Sequence, residues 1–295
     1  MDYNEFIDAL MEVLEDEICN DVSVVMVETV KNNGYIRRGL TLKEKNVNVS
    51  PTIYLEEYYD LFKEGREIDK IANDILGCFY RNRLTRDLDM DFFTDYEKVK
   101  HQLFCKLINR DMNPMLLKQV PHEDFLDLAI VVYFKFDESA LQGASILIRN
   151  EHIEKWGIES SELLHNAKDN TRYNMELLAE DMNTLLKEMC GAVNPCPIID
   201  ESACRMQVVS NKERSLGAVF MIFPEVLEKI AKGFNSDLII LPSSIHEFIA
   251  VSANDSDDLE MYSEMVKTVN CENVRIEERL SDRAYLYRQL DGFSV

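Results

Sequence analysis

The sequence predicts an α+β protein, and three observations support this prediction. Apolar residues recur at helical spacing in the first part, extended β-branched runs flank turn sequences, and one long apolar run has the length of a buried strand. We predict a helix-rich N-terminal part with a β-hairpin, followed by a mixed or antiparallel sheet packed by helices. The composition, 46% hydrophobic and 29% charged, is that of a globular protein with a core.

The first elements are an amphipathic helix and a hairpin. Residues Tyr3 to Ile18 carry apolar side chains at helical spacing. The runs Val22 to Val30 and Tyr35 to Leu42 are extended, and Asn32-Asn33-Gly34 lies between them. Asparagine and glycine tolerate positive φ, so this turn sequence favours a hairpin. Further helices are predicted over Ile53–Phe62 and Ile68–Phe79.

The charged segment from residue 81 to 91 marks the predicted boundary between two parts of the chain. We therefore expect an N-terminal helical subdomain with a β-hairpin over residues 1–85 and an α+β domain over residues 86–295. A chain of 295 residues is long enough for two domains of ordinary size.

The second part is predicted to be built around one central strand. Phe125 to Phe136 is the most hydrophobic run and is typical of a strand buried on both faces. Ala144 to Ile148 is expected to be its hairpin neighbour. Helices are predicted from Ser160 or Ser161 toward Tyr173, over Met175–Met189 and over Leu259–Val269, and strands over Met206–Val209 and Ala284–Arg288.

Residues Ser215 to Val251 form the best-specified unit, predicted as strand, helix, strand, tight polar turn and strand. Pro224 suits the first position of the helix, where its missing N–H is harmless. Gly233 suits a left-handed terminator after the helix. Leu238 to Leu241 is then a short buried strand, which Pro242 ends.

The net charge of −22 limits the classes of partner. Nucleic acids and anionic membrane surfaces carry negative charge, so this protein is expected to bind neither. A protein partner, a small ligand or a basic peptide remains compatible with the charge. The longest apolar run, Leu128 to Phe134, is too short for a membrane helix, and the N-terminus is acidic, so we expect a cytoplasmic protein.

Seven cysteines are present, an odd number, and most stand alone among apolar neighbours. Such thiols commonly behave as small buried hydrophobic residues, and a disulfide framework is not expected. The spacing of Cys190, Cys196 and Cys204 is not that of a zinc ribbon. No glycine-rich phosphate loop occurs, and the acidic run from Asn254 to Glu260 lacks the glycine of a calcium loop. No metal or cofactor is predicted.

The candidate functional residues are Ser243, Ser244, His246 and Glu247. A zinc-protease motif would need a second histidine at Ala250, so we exclude it. If the protein is a hydrolase, one of the two serines would be the nucleophile and His246 would be its base. No nucleophile-elbow sequence surrounds either serine, however.

The alternative interpretation of this segment is structural. In a strand from Ile245 to Val251, His246 and Glu247 point to opposite faces and cannot be direct partners. The serines then satisfy backbone groups in the turn, and Glu247, placed among isoleucines, has to be paired or protonated. We therefore expect a non-catalytic partner- or ligand-binding protein, with a hydrolase-like enzyme that uses residues 243–247 as the alternative.

Several segments resemble one uncharacterised bacterial family, domain of unknown function 5688. They span nearly the whole chain: Asn32-Asn33-Gly34 with Gly39-Leu40, Ser50–Gly65, Val120–Tyr133, Leu241–Phe248 and Leu280–Arg288. No activity, cofactor or catalytic residue follows from this resemblance. The C-terminal part also resembles, in pattern only, the uncharacterised bacterial family that contains YtpQ, which favours an α+β fold.

Overall fold

A computed structural model describes residues 1–18, 21–45, 47–48, 50–83, 91–136, 144–190, 205–254 and 258–294. The chain divides into two compact units, one from Met1 to Phe92 and one that begins at Phe93. The α+β prediction is confirmed. All strand pairings over the described ranges are antiparallel, so the antiparallel alternative is the one found. None of the helices within those ranges has the length and apolar character needed to cross a membrane.

The first unit combines a three-stranded sheet with helices. Its elements are α1 (Tyr3–Glu17), β1 (Val22–Val30), β2 (Ile36–Glu44), β3 (Thr52–Tyr54), α2 (Glu56–Lys63) and α3 (Ile68–Asn82). The strands lie in the order β1-β2-β3. Buried apolar side chains from α1, the sheet and α3 form one core, among them Phe6, Leu10, Leu40, Ile71 and Ile75.

Local signals explain where these elements begin and turn. Asp2 caps α1, because its carboxylate accepts the backbone N–H of Glu5 at 3.0 Å, and the Glu5 carboxylate accepts the N–H of Asp2 at 2.8 Å. The predicted hairpin is confirmed: Asn33 has φ 61° and Gly34 has φ 69° in the turn between β1 and β2. Both residues adopt the left-handed conformation that the turn requires.

The predicted helix over Ile53–Phe62 was wrong at its start. Ile53 lies in β3, which pairs with β2, and α2 begins only at Glu56. A Cβ at Gly39 of β2 would stand 2.6 Å from Thr52 Cγ2 and 2.9 Å from the carbonyl oxygen of Ile53. The glycine therefore lets β3 approach β2, and this contact overrides the helical pattern.

In the second unit, β6 is the central strand of a four-stranded sheet. The elements of this half are α4 (Tyr96–Val99), β4 (Leu103–Asn109), α5 (Pro114–Leu117), β5 (His122–Phe125), β6 (Leu128–Lys135), β7 (Ser145–Leu147), α6 (Asn150–Trp156) and α7 (Ser160–Asn174). Strand β6 pairs with β4 along one edge and with β5 and then β7 along the other. The predictions of a buried central strand and of a hairpin neighbour are confirmed, but the predicted start at Phe125 was wrong. Phe125 ends β5 and pairs with Leu128, because the chain turns at Leu126, where φ is 57°.

The remaining elements form a six-stranded sheet with helices. They are β8 (Leu177–Asp181), α8 (Met182–Cys190), β9 (Met206–Asn211), a 3-10 helix (Gly217–Ile222), α9 (Pro224–Phe234), β10 (Leu238–Leu241), β11 (Phe248–Ser252), α10 (Leu259–Asn273), β12 (Tyr285–Arg288) and β13 (Gly292–Ser294). The strand order is β13-β12-β10-β11-β9-β8. Ile239, Val251 and Val266 bring the sheet and α10 together in a shared buried cluster.

Three predictions in this half were wrong. The helix over Met175–Met189 is strand β8 followed by α8, because residues 177–181 pair with the edge of β9. The strand predicted from Ser215 onward is a 3-10 helix instead, and Leu216, the residue before this helix, has a left-handed φ of 58°. Gly233 lies inside α9, and Asn235, with φ 55°, is the left-handed residue that ends the helix. Asparagine tolerates this conformation because its side chain is short and polar.

Candidate functional site

The segment from Pro242 to Glu247 connects β10 to β11 and is held against residues 278–281. The carbonyl oxygen of Ser243 accepts the N–H of Leu280 at 3.0 Å, and Ile245 donates its N–H to the carbonyl of Glu278 at 2.8 Å. Ser244 forms an isolated antiparallel bridge with Arg279. The main chain of residues 242–247 is therefore paired with that of residues 278–281, as in a short antiparallel strand pair.

The Ser244 hydroxyl stabilises the turn itself. Ser244 is only 5% exposed, and its Oγ accepts the backbone N–H of His246 at 3.0 Å. A serine that bonds the main chain two residues onward is a common turn device. The structural interpretation of the sequence assigned this role to the serines, and Ser244 has this geometry.

His246 is the centre of a second set of contacts, formed by its backbone carbonyl. This oxygen accepts the N–H of Gly217 at 2.9 Å and the hydroxyl of Ser210 at 2.7 Å. Ser210 belongs to β9 and Gly217 opens the 3-10 helix, so the carbonyl joins two elements that are separate along the chain.

The imidazole of His246 also bonds to main chain. Its Nδ1 accepts the backbone N–H of Leu216 at 3.2 Å, which requires an unprotonated Nδ1. Its Nε2 lies 3.7 Å from Oε1 of Glu278, with the histidine side chain 28% exposed. In the described part of the chain, neither serine hydroxyl is hydrogen-bonded to the imidazole.

Glycine at position 217 makes this arrangement possible. A Cβ there would stand 2.5 Å from the backbone nitrogen of Asn211 and 2.5 Å from the Ser210 hydroxyl. Asn211 in turn holds the loop, since its Oδ1 accepts the N–H of Ser215 at 3.0 Å and its Nδ2 donates to the Ser215 carbonyl at 2.5 Å. No local pattern in the sequence marks Ser210, Asn211 or Gly217, because their role depends on contacts between residues distant in sequence.

Two details of the sequence prediction for this segment were wrong. Strand β11 begins at Phe248, so Ile245, His246 and Glu247 precede it and do not alternate along a strand. Glu247 is partly exposed, so it is not the buried carboxylate that the sequence suggested. A partly exposed carboxylate keeps contact with water, so it does not require a buried partner.

A cleft of about 360 Å³ lies elsewhere in the second unit, between the end of α7 and the start of α9. Its walls are mainly aromatic and aliphatic: Tyr173, Leu177, Phe220, Phe223 and Val226, with Arg172 and Glu225 beside them. A larger and more polar cleft, of about 710 Å³, is lined in part by Asn235, Asp237 and Gln289. Neither cleft includes a residue of the segment 242–247. The sequence signal for this cleft is the adjacent Arg172 and Tyr173 at the end of a predicted helix, and both are exposed in the structure.

The described cysteines are free, and they differ in burial. Cys105 is fully buried, and burial raises the pKa of its thiol to about 12. Cys271 is exposed, so the prediction of buried thiols was wrong there, because position 271 falls on the outer side of α10. The side chains of Cys19, Cys190, Cys196 and Cys204 lie outside the described residues. Across the described ranges, no three histidine, cysteine or acidic side chains are grouped to hold a metal ion.

Comparison with known proteins gives one family match, which covers nearly the whole chain. No protein of curated function matches this chain, and no solved structure matches it either. No match supports the pattern similarity of the C-terminal part to the family that contains YtpQ, and the first strand of that pattern is a 3-10 helix in this protein. Residues 3–289, nearly the full length, match a family model, and the chain therefore belongs to the family of unknown function DUF5688.

Proposed function

We propose that this protein is a non-catalytic cytosolic protein that binds a partner or a ligand. The observation that carries the proposal is the use of the candidate catalytic groups in main-chain hydrogen bonds. Nδ1 of His246 accepts the Leu216 N–H at 3.2 Å, and Oγ of Ser244 accepts the His246 N–H at 3.0 Å. A histidine acting as a general base needs a free nitrogen within hydrogen-bond reach of the nucleophile.

The competing function is a hydrolase-like enzyme that uses residues 243–247. One contact favours it: Nε2 of His246 is near the carboxylate of Glu278, and both side chains are partly exposed. A carboxylate beside an imidazole is part of many hydrolytic sites. A serine nucleophile is not in place: Ser244 is buried and bonded to main chain, and among the described residues the partly exposed Ser243 has no hydrogen bond to the imidazole.

A direct experiment separates the two functions. The wild type, Ser243→Ala, Ser244→Ala and His246→Ala are assayed on ester, phosphoester and peptide substrates, and their thermal unfolding is measured in parallel. We expect no turnover by any of them, and lower stability for Ser244→Ala and His246→Ala. Turnover by the wild type that disappears in a stably folded His246→Ala protein would establish the enzyme instead.

A stripe of exposed apolar side chains on α10 supports binding to a protein partner. Met261, Met265 and Val269 are spaced four residues apart, hence on one face, and are 53%, 50% and 40% exposed. Methionine adapts its shape to different partners. The exposed acidic residues Glu260, Glu264 and Glu272 stand on the same helix.

The charge of this surface indicates the chemistry of the partner. Lys267, the basic residue of α10, pairs with Glu264 at 3.5 Å, which leaves the helix surface acidic in a chain of net charge −22. The complement of an apolar stripe with acidic borders is an amphipathic helix with basic borders. We therefore propose a basic, apolar segment of another protein as the partner.

Designed peptides test this partner class. One peptide carries leucines at helical spacing with lysines between them, and its control keeps the leucines and replaces each lysine with glutamate. Fluorescence anisotropy should detect binding of the basic peptide to the wild type and no binding of the control peptide. The double variant Met261→Ser/Met265→Ser should weaken it about tenfold, as expected for central apolar contacts. The matched variant Met112→Ser/Met115→Ser, also at exposed methionines, should leave it unchanged. Equal binding to all three proteins would indicate charge attraction only and would refute the α10 surface.

A further inference from the structure

The cleft between α7 and α9 contains an arginine with unused hydrogen-bonding capacity. Nε of Arg172 pairs with Oε1 of Glu225 at 2.7 Å. Its guanidinium carbon lies 5.0 Å from the ring centroid of Phe223 and 6.0 Å from that of Tyr173. Among the described residues, the terminal nitrogens of Arg172 have no protein hydrogen-bond acceptor.

These contacts position the guanidinium before any ligand arrives. The ion pair to Glu225 holds Nε, and the two aromatic rings border the charged group, so its rotation is restricted. The terminal nitrogens of a guanidinium match the two oxygens of a carboxylate in a planar, bidentate geometry. An arginine held in this way offers a carboxylate site at low entropic cost.

The remaining walls of the cleft are apolar. Phe220 and Phe223 are 1% and 3% exposed, and Leu177 and Val226 complete the lining. Tyr173, at the mouth, is 74% exposed, which is unusual for an aromatic side chain of this size. A volume of about 360 Å³ accommodates an aromatic or branched aliphatic group.

From this geometry we propose that the cleft binds a small monocarboxylate with an aromatic or aliphatic tail. Arg172 takes the carboxylate, and Tyr173, Leu177 and Phe223 enclose the tail. The proposal rests on the binding role proposed above and names a ligand class and a place for it. A ligand with two negative charges is disfavoured, because Glu225 stands beside the single guanidinium and the chain carries a net charge of −22.

The proposal is tested with 3-phenylpropionate and its neutral analogue 3-phenylpropionamide as probes, by calorimetry and by NMR chemical-shift mapping on the full chain. We expect 3-phenylpropionate to bind about tenfold more tightly than the amide, because the amide lacks the charge-assisted hydrogen bonds. Arg172→Gln should remove this preference, and Glu225→Gln should strengthen carboxylate binding, since it removes the adjacent negative charge. Shifted resonances should include Tyr173.

A matched variant controls for net charge. Arg214 pairs with Glu180 at 2.7 Å and lies outside the lining of the cleft, so Arg214→Gln removes the same charge and a similar ion pair. We expect it to bind 3-phenylpropionate as the wild type does. No binding of the carboxylate, equal binding of acid and amide, or equal loss in the Arg172 and Arg214 variants would overturn the proposal. These outcomes leave peptide binding at α10 unaffected, so this failure is distinguishable from failure of the proposed function.

Discussion

Nδ1 of His246 accepts the backbone N–H of Leu216 at 3.2 Å, and Leu216 has a φ of 58°. A leucine in the left-handed region costs roughly 1 kcal/mol or more and persists only where its surroundings hold it. The imidazole therefore helps to maintain a strained loop that leads into the 3-10 helix.

His246→Ala should destabilise the protein by about 1–3 kcal/mol, because it leaves the Leu216 N–H without its acceptor. His246→Asn is the matched control, since an amide oxygen can replace Nδ1 as acceptor and should recover part of the loss. Urea unfolding measures both. If the two variants are equally destabilised, the loss comes from side-chain volume and not from the hydrogen bond.

Gly217 and Gly233 should respond in opposite ways to alanine. A Cβ at Gly217 would stand 2.5 Å from the Asn211 nitrogen. A Cβ at Gly233, inside α9, would meet no atom within 4 Å apart from its chain neighbours and the backbone of its own helix. We expect Gly217→Ala to cost about 2 kcal/mol or more through overpacking, and Gly233→Ala to stabilise by about 0.5–1 kcal/mol through helix propensity. Thermal unfolding of the two variants and the wild type measures these changes. A Gly217→Ala protein more stable than the wild type would contradict the close contact at Gly217.

Tyr285 should make the protein sensitive to alkali. Its hydroxyl donates to Oδ1 of Asp127 at 2.5 Å, and burial, together with the charge of Asp127, raises the pKa of Tyr285 well above its usual value of 10.0. The unfolded state then ionises first as pH rises. The contribution of the Tyr285 hydroxyl to the free energy of unfolding is therefore fully present below pH 10 and is lost as the pH rises above 10.

Tyr285→Phe should lower stability by about 1 kcal/mol at neutral pH, because Asp127 loses a hydrogen-bond donor. It should also flatten the decline in the unfolding free energy above pH 10, the usual tyrosine value. Tyr173→Phe, at a tyrosine that is 74% exposed, is the control and should leave this decline unchanged. An identical pH dependence of stability in wild type and Tyr285→Phe would refute the assignment.

Cys105 and Cys271 should differ in reactivity toward iodoacetamide. With a pKa of about 12, roughly one part in ten thousand of Cys105 is thiolate at pH 8, and the side chain is buried. Peptide mapping of the native protein should find Cys271 modified and Cys105 modified only after denaturant is added. Rapid modification of native Cys105 would mean that the sheet around it opens readily.

Elements with strong local signals were predicted correctly from the sequence. The Asn33-Gly34 turn has both positive φ values, and the apolar stripe of α1 and the apolar run of β6 occur where expected. Their causes act over a few residues, so they are visible without the fold. The errors at Ile53 and at residues 177–181 are strands that pair with a free sheet edge, and edge availability is a property of the assembled sheet.

By itself, the sequence determined the fold class, the acidic charge and the corner at Pro242, because composition, periodicity and turn chemistry are local. Only the tertiary structure decided what the candidate residues contact. His246 is in contact with three residues that precede it by about 30 positions, Ser210, Leu216 and Gly217. It is also close to Glu278, which follows it by 32 positions. The same holds for Arg172 and Phe223, which the fold brings to one cleft. Hydrogen bonds and ring contacts act over a few ångströms in space, and the distance along the chain does not reveal them.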